Sequence, residues 1–142
     1  YSLSAMNFSF NKELIGLALY HGLMGEGWPM SRYDDLWAGW CSKVISDHLG
    51  YGVKNGKPYV WHERASEWKD NLRREYKGLL WHEDIIDFFE GVKFSSGAKS
   101  VEKCYLELAD MVSDNLGKLD KYFVKLAEAM RIWVKVWREK QG

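Results

Sequence analysis

The sequence predicts an α/β protein in which short strands lead into a helical second half, and three features point there. Ala5 to Phe10 alternates small and apolar residues with the period of two of a half-buried strand. Pro58-Tyr59-Val60-Trp61 follows an Asn55-Gly56 pair of the type that closes hairpins. From Ser66 onward apolar residues recur at helical spacing. The division falls near residue 65: residues 1–65 are mixed and residues 66–142 are helical.

Taken in order, the first strand is followed by Asn11, a suitable cap for a short helix from Lys12 to Tyr20. Gly22, Gly25, Gly27 and Pro29 then break regular structure into a loop. From Asp34 to Leu49 the apolar positions Trp37, Trp40, Cys41, Val44, Ile45 and His48 share one face, and Gly50 is a natural stop. After the hairpin come helices at Ser66 to Lys77, Trp81 to Glu90, Ser100 to Leu116 and Asp120 to Lys140, with Gly78, Gly91, Gly97 and Gly117 as breaks. Tyr1 is not an initiator methionine, and the first residues read as a strand already under way, so the expectation is a piece of a longer polypeptide.

Composition removes several function classes. Twenty basic and twenty acidic side chains cancel, so no global field draws the chain to nucleic acid or to an anionic membrane. No apolar run approaches the roughly 20 residues of a membrane span. Cys41 and Cys104 both fall on apolar helix faces as small buried hydrophobes, which fits a reducing, cytosolic setting. Walker, HExxH, CxxC and GxSxG patterns are all missing, so the common nucleotide-hydrolase, zinc and serine-hydrolase templates fail.

The candidate site begins with the glycine loop and Arg32-Tyr33-Asp34-Asp35. Glycines before a helix are most often plain turn residues; without Cβ atoms they also let the backbone of Gly25 and Gly27 approach a phosphate. Arg32 would match that phosphate with two parallel hydrogen bonds. Asp34 and Asp35 open the long helix, where one aspartate serves as a cap and stabilises the first turn by roughly 0.3 to 1 kcal/mol. The second asks for solvation, for pairing with Arg32, or for a ligand. Their position suits them to accept a hydrogen bond from a hydroxyl or a metal-bound water rather than to act as general acids. His62, at the end of the Tyr59-Val60-Trp61 strand, is either structural or a ligand for a divalent metal or a diphosphate oxygen. Of the eight tryptophans, Trp37, Trp40, Trp133 and Trp137 follow helical spacing, whereas Trp28 and Trp61 are placed to stack on a base or a sugar. His21, His48 and His82 carry weaker signals: His48 falls on the buried face of its helix, and His82 begins one.

Gly22-Leu23-Met24-Gly25-Glu26-Gly27, Arg32-Tyr33-Asp34-Asp35 and Trp37-Ala38-Gly39-Trp40-Cys41 closely resemble the reversibly glycosylated polypeptides of plants and green algae, the UDP-arabinopyranose mutase family. Tyr76-Lys77-Gly78, Trp81, Glu83-Asp84-Ile85-Ile86 and Phe88-Phe89 look like the family's next signature, and Cys104-Tyr105 with Glu107-Leu108 like a later one. The resemblance implies the C-terminal part of a GT-A-like nucleotide-sugar fold and an isomerase that interconverts the pyranose and furanose forms of UDP-L-arabinose for cell-wall polysaccharide. It also implies a divalent metal (Mn or Mg), homo- or hetero-oligomers, and a cytoplasmic location at the Golgi surface. Under it His62 would hold metal or diphosphate, the glycine loop would lie along the donor sugar, and Asp34 or Asp35 would address a sugar hydroxyl. The family's aspartate-rich metal motif and glycosylated arginine belong to an upstream half, and no Asp-x-Asp run precedes the glycine loop here. Ser4-Ala5, Asn11-Lys12 and Trp28 also depart from the family pattern. Two alternatives therefore stay open: a non-catalytic partner subunit, and a UDP-sugar glycosyltransferase with a separate acceptor.

Overall fold

In the computed structural model, which describes residues 8–57, 61, 63 and 66–141, every regular element is a helix. The expected α/β class is thereby corrected: the described residues contain no strand and no sheet, and the layering of a GT-A-like fold is not found among them. Of the first predicted strand, Phe8 to Phe10 has no regular structure, and its period of two is used differently, with the rings of Phe8 and Phe10 stacked 5.4 Å apart. Residues 51–57, the first arm and turn of the predicted hairpin, are also irregular. Tyr1 to Asn7, Pro58 to Val60 and His62 lie outside the described residues. A strand must satisfy its backbone against a neighbouring strand, and every regular element available here is a helix.

The helices start and stop where local chemistry directs. The Leu14 N–H donates to the Asn11 side chain at 3.1 Å, opening α1 (Lys12–Ile15), which tightens into a 3-10 turn at Gly16–Leu19. Gly50, at φ 72°, closes α2 (Asp34–Leu49) in the left-handed conformation that glycine takes without strain. Helix α3 (Trp68–Leu80) is capped by Glu67, whose carboxylate accepts from the Lys69 N–H. It runs straight through Gly78, which is buried within it and is not the predicted break. Helix α4 (His82–Gly91) follows almost at once. Ser100 caps α5 (Val101–Asn115), and a 3-10 turn at Leu116–Lys118 leads into α6 (Lys121–Gln141). The Asp120 carboxylate accepts from the Tyr122 N–H at 2.8 Å, just as α6 begins.

Helices α5 and α6 are antiparallel. Arg131 pairs with Asp110, and Arg138, two turns further along α6, pairs with Glu102, two turns back along α5. Between them Tyr105, Leu108, Ala109, Val112, Phe123, Leu126, Ala127 and Met130 are fully buried. Helix α2 lays Trp37, Cys41 and Ile45 on this pair, and Trp37 meets Phe89 of α4 edge to face at 5.4 Å. His48, placed by its spacing on the buried face, is instead exposed, with Nε2 2.9 Å from the Ala98 carbonyl oxygen. It sits in the last turn of α2, where the core has already ended. Cys41 and Cys104 are free, buried thiols, as their apolar neighbours suggested. Helix α3 differs from the other helices of more than one turn: Gly78 is its one buried residue, and Trp68, Leu72, Tyr76, Leu79 and Leu80 are exposed. No helix among the described residues is long and apolar enough to cross a membrane.

Candidate functional site

The glycine loop is held at both ends and free in the middle. At its root the Tyr122 hydroxyl donates to the Leu23 carbonyl at 2.9 Å, and burial pushes that hydroxyl's pKa up, so it remains a donor. At its far end Met30 is fully buried. Between them Gly25 and Gly27 hold φ values of 112° and 85°, and a Cβ at either would meet nothing within 4 Å. Conformation therefore selects glycine there, and the backbone stands open to whatever occupies the adjoining space. The Trp28 N–H closes the turn onto the Gly25 carbonyl at 3.2 Å, and the Trp28 ring tilts against Tyr122.

Beyond the loop, three consecutive residues fasten the chain to α3. The Ser31 hydroxyl donates to the Arg74 carbonyl at 3.0 Å. Arg32 Nε donates to Glu75 at 3.0 Å, while its Nη1 donates to the Asn71 side chain at 2.9 Å. Tyr33 packs its ring against Gly78 and brings its hydroxyl to 3.3 Å from His82 Nδ1. Burial, and then the nearby Glu75 charge, raise the pKa of that hydroxyl. The guanidinium expected to meet a phosphate is thus a strut between loop and helix. This junction leaves a cavity of about 540 Å³ between the loop and α3, lined by Gly25, Glu26, Gly27, Trp28, Ser31, Arg73, Arg74, Tyr76 and Lys77.

Asp34 and Asp35 are the first two residues of α2, after an N-cap, Tyr33, whose side chain makes no capping hydrogen bond. Their charges therefore face the positive end of the helix dipole. Asp34 lies 3.8 Å from His21 Nδ1, an ion pair only when the imidazole carries its second proton. Asp35 accepts from the Leu36 N–H at 2.8 Å and borders a second, mostly apolar cavity of about 420 Å³ with Phe8, Phe10, Leu19, His21, Trp133 and Trp137. Gly16 lines it too, and a Cβ there would fall 2.7 Å from the Trp137 ring.

The predicted residues are thus divided between two places. Gly25, Gly27 and Trp28 share the cavity beside α3, while Asp35 borders the apolar one and Asp34 stands next to His21. Trp61 is 87% exposed, with Nε1 3.4 Å from Glu63, and His62 lies outside the described residues. Among the described residues no three His, Cys, Asp or Glu side chains gather as a metal site. Sequence reasoning missed Arg73, Arg74 and Lys77. The available signal was their spacing, which puts them on adjoining faces of one helix; what no spacing reveals is that this helix folds back onto the glycine loop.

A family model described as reversibly glycosylated polypeptide matches residues 1–142. The chain is 56% identical over 139 residues to the probable UDP-arabinopyranose mutase 1 of Pisum sativum, covering 98% of this chain and 38% of that protein. It is 54% identical to UDP-arabinopyranose mutase 1 of Oryza sativa and 52% identical to UDP-arabinopyranose mutase 3 of Arabidopsis thaliana, with the same shares of each covered. The chain therefore spans well under half the length of these relatives. With the glycine loop, the acidic doublet and the later signatures all inside the matched span, the chain belongs to the reversibly glycosylated polypeptide family.

Proposed function

We propose that this chain is part of a UDP-arabinopyranose mutase, an isomerase exchanging the pyranose and furanose rings of UDP-bound arabinose. One observation carries the reading: the 52–56% identity, over 98% of the chain, to proteins bearing that name. The two ring forms differ in which sugar hydroxyl is joined to the anomeric carbon. An enzyme for that exchange has to hold the nucleotide while a proton leaves one sugar oxygen and returns to another. Gly25, Gly27 and Trp28 are the side of this chain suited to the nucleotide, and Asp34 and Asp35 are acceptors for a sugar hydroxyl. A manganese or magnesium ion at the diphosphate would find no group of three His, Cys, Asp or Glu side chains among the described residues.

The test is to incubate the complete polypeptide with UDP-arabinopyranose and manganese and to resolve the ring isomers by chromatography. Appearance of UDP-arabinofuranose is the expected result. Unchanged substrate overturns the reading, and arabinose passed to a separate acceptor replaces it with a glycosyltransferase. The exposed apolar side chains of α3 favour a second role beside the first, as a surface that packs against further polypeptide of the family. A sedimenting species of one complete chain, with Trp68 and Leu72 open to solvent, would remove that role.

A further inference from the structure

We infer that the cavity between the glycine loop and α3 is a diphosphate site, in which Arg74 and Lys77 supply the charge that the sequence assigned to Arg32. The identity of the nucleotide rests on the mutase reading; the anion chemistry rests on the cavity itself. Arg32 is spent on Glu75 and Asn71, and Arg73 has Asp70 at 3.5 Å. Arg74 and Lys77 have no acidic partner among the described residues, and Arg74 contributes its carbonyl, not its guanidinium, to the contact with Ser31. Both line the cavity, where Glu26 is the single carboxylate against three cations. Opposite them Gly25 and Gly27 present backbone with no Cβ, the surface a phosphate approaches most closely. Trp28 and Tyr76, 37% and 59% exposed, are aromatic faces at the same cavity on which a base can stack. The volume of about 540 Å³ lies within the range of small-molecule sites.

The experiment titrates the complete polypeptide with three probes: UDP, inorganic pyrophosphate as the arm without a base, and uridine as the arm without phosphate. The expected result is that Arg74→Ala with Lys77→Ala weakens UDP and pyrophosphate by about tenfold or more, the scale of losing two charge-assisted contacts, and leaves uridine unchanged. Lys125→Ala with Lys135→Ala removes the same charge from exposed positions on α6 and keeps wild-type affinity. Equal UDP affinity in the α3 variant and the wild type, or an equal loss in both double variants, overturns the site. Should the alanine pair fail to fold, Arg74→Gln with Lys77→Met keeps side-chain bulk and is read in the same way. The two readings fail separately. A wild type that makes furanose while the α3 variant binds UDP normally sinks this site alone. A wild type that makes none, with pyrophosphate binding lost in the variant, sinks the mutase alone.

Discussion

The ring of Tyr33 fills the space where a side chain at residue 78 would begin. A Cβ built on Gly78 would sit 2.6 Å from Tyr33 Cδ2, and the ring, with Tyr33 only 5% exposed, is itself packed in the core. Alanine ordinarily gains about 1 kcal/mol over glycine inside a helix. Here overpacking outweighs that gain, and Gly78→Ala is expected to destabilise by about 1–2 kcal/mol. Urea denaturation of the single variant checks this, and Gly78→Ala introduced into a Tyr33→Ala background should instead stabilise relative to Tyr33→Ala alone.

Tyr105 leads to the opposite kind of expectation. Its hydroxyl is fully buried with no hydrogen-bond partner among the described residues, and burial raises its pKa well above the ordinary tyrosine value. Removing an unsatisfied buried polar atom relieves a desolvation cost without leaving a partner stranded. Tyr105→Phe should be neutral or stabilising by up to about 1 kcal/mol. A lower urea midpoint for the variant would show that the hydroxyl has a partner after all.

Two carboxylates set part of the acid limit of the fold. Hydrogen bonds from the Ser95 hydroxyl and N–H hold Glu107 below its usual range, and Arg138 does the same for Glu102. A carboxyl lowered on folding stabilises the native state above its unfolded pKa, and that contribution disappears as pH falls through the lowered folded value. Glu107→Gln and Arg138→Ala should each flatten the loss of stability on acidification below about pH 4.5. Both effects are small, because both carboxylates are largely solvated. Denaturation midpoints from neutral to acid pH give the slopes.

The two thiols should be silent in the native state. Burial pushes the pKa of Cys41 strongly upward, and Cys104 donates its S–H to the Ala98 carbonyl at 3.4 Å while burial raises its pKa as well. The thiolate is the reactive form, so both are protected by protonation and by access. A chromogenic disulfide reagent at mildly alkaline pH is expected to label neither until denaturant is added, and then both. Rapid native labelling of Cys41 would contradict its burial.

Arg32 and Glu75 should be coupled through the strut that joins the glycine loop to α3. Both are partly solvated, so a double-mutant cycle of Arg32→Ala and Glu75→Ala should give a coupling of about 0.2–1 kcal/mol in stability. If Arg32 met a ligand instead, its removal would weaken nucleotide binding equally with and without Glu75.

What the sequence disclosed follows from range. Asn11, Gly50 and Ser100 act on backbone groups a few residues away, and each helix boundary they imply is present. The face of α2 carrying Trp37, Cys41 and Ile45 is likewise a property of local spacing. The strand expectations fail at Phe8 to Phe10 because alternation over so few residues suits any half-covered segment, and the neighbours that decide between them are distant. The break expected at Gly78 fails for the same reason: the neighbour that calls for glycine there is the Tyr33 ring, far back along the chain. At the site, the glycine loop was legible from composition. The Ser31 and Arg32 contacts to α3 span 43 and 39 residues, and no local pattern announces them.

The hydrogen bond from Trp133 Nε1 to the Leu17 carbonyl joins residues 116 positions apart. Translation proceeds from the N-terminus, so Leu17 and Ala18 leave the ribosome long before the helix that covers them exists. Until α6 emerges, that apolar stretch must be shielded by a chaperone or by provisional contacts. A ribosome stalled just short of Trp133 would therefore carry a nascent chain in which the turn at Gly16–Leu19 is still unprotected against protease.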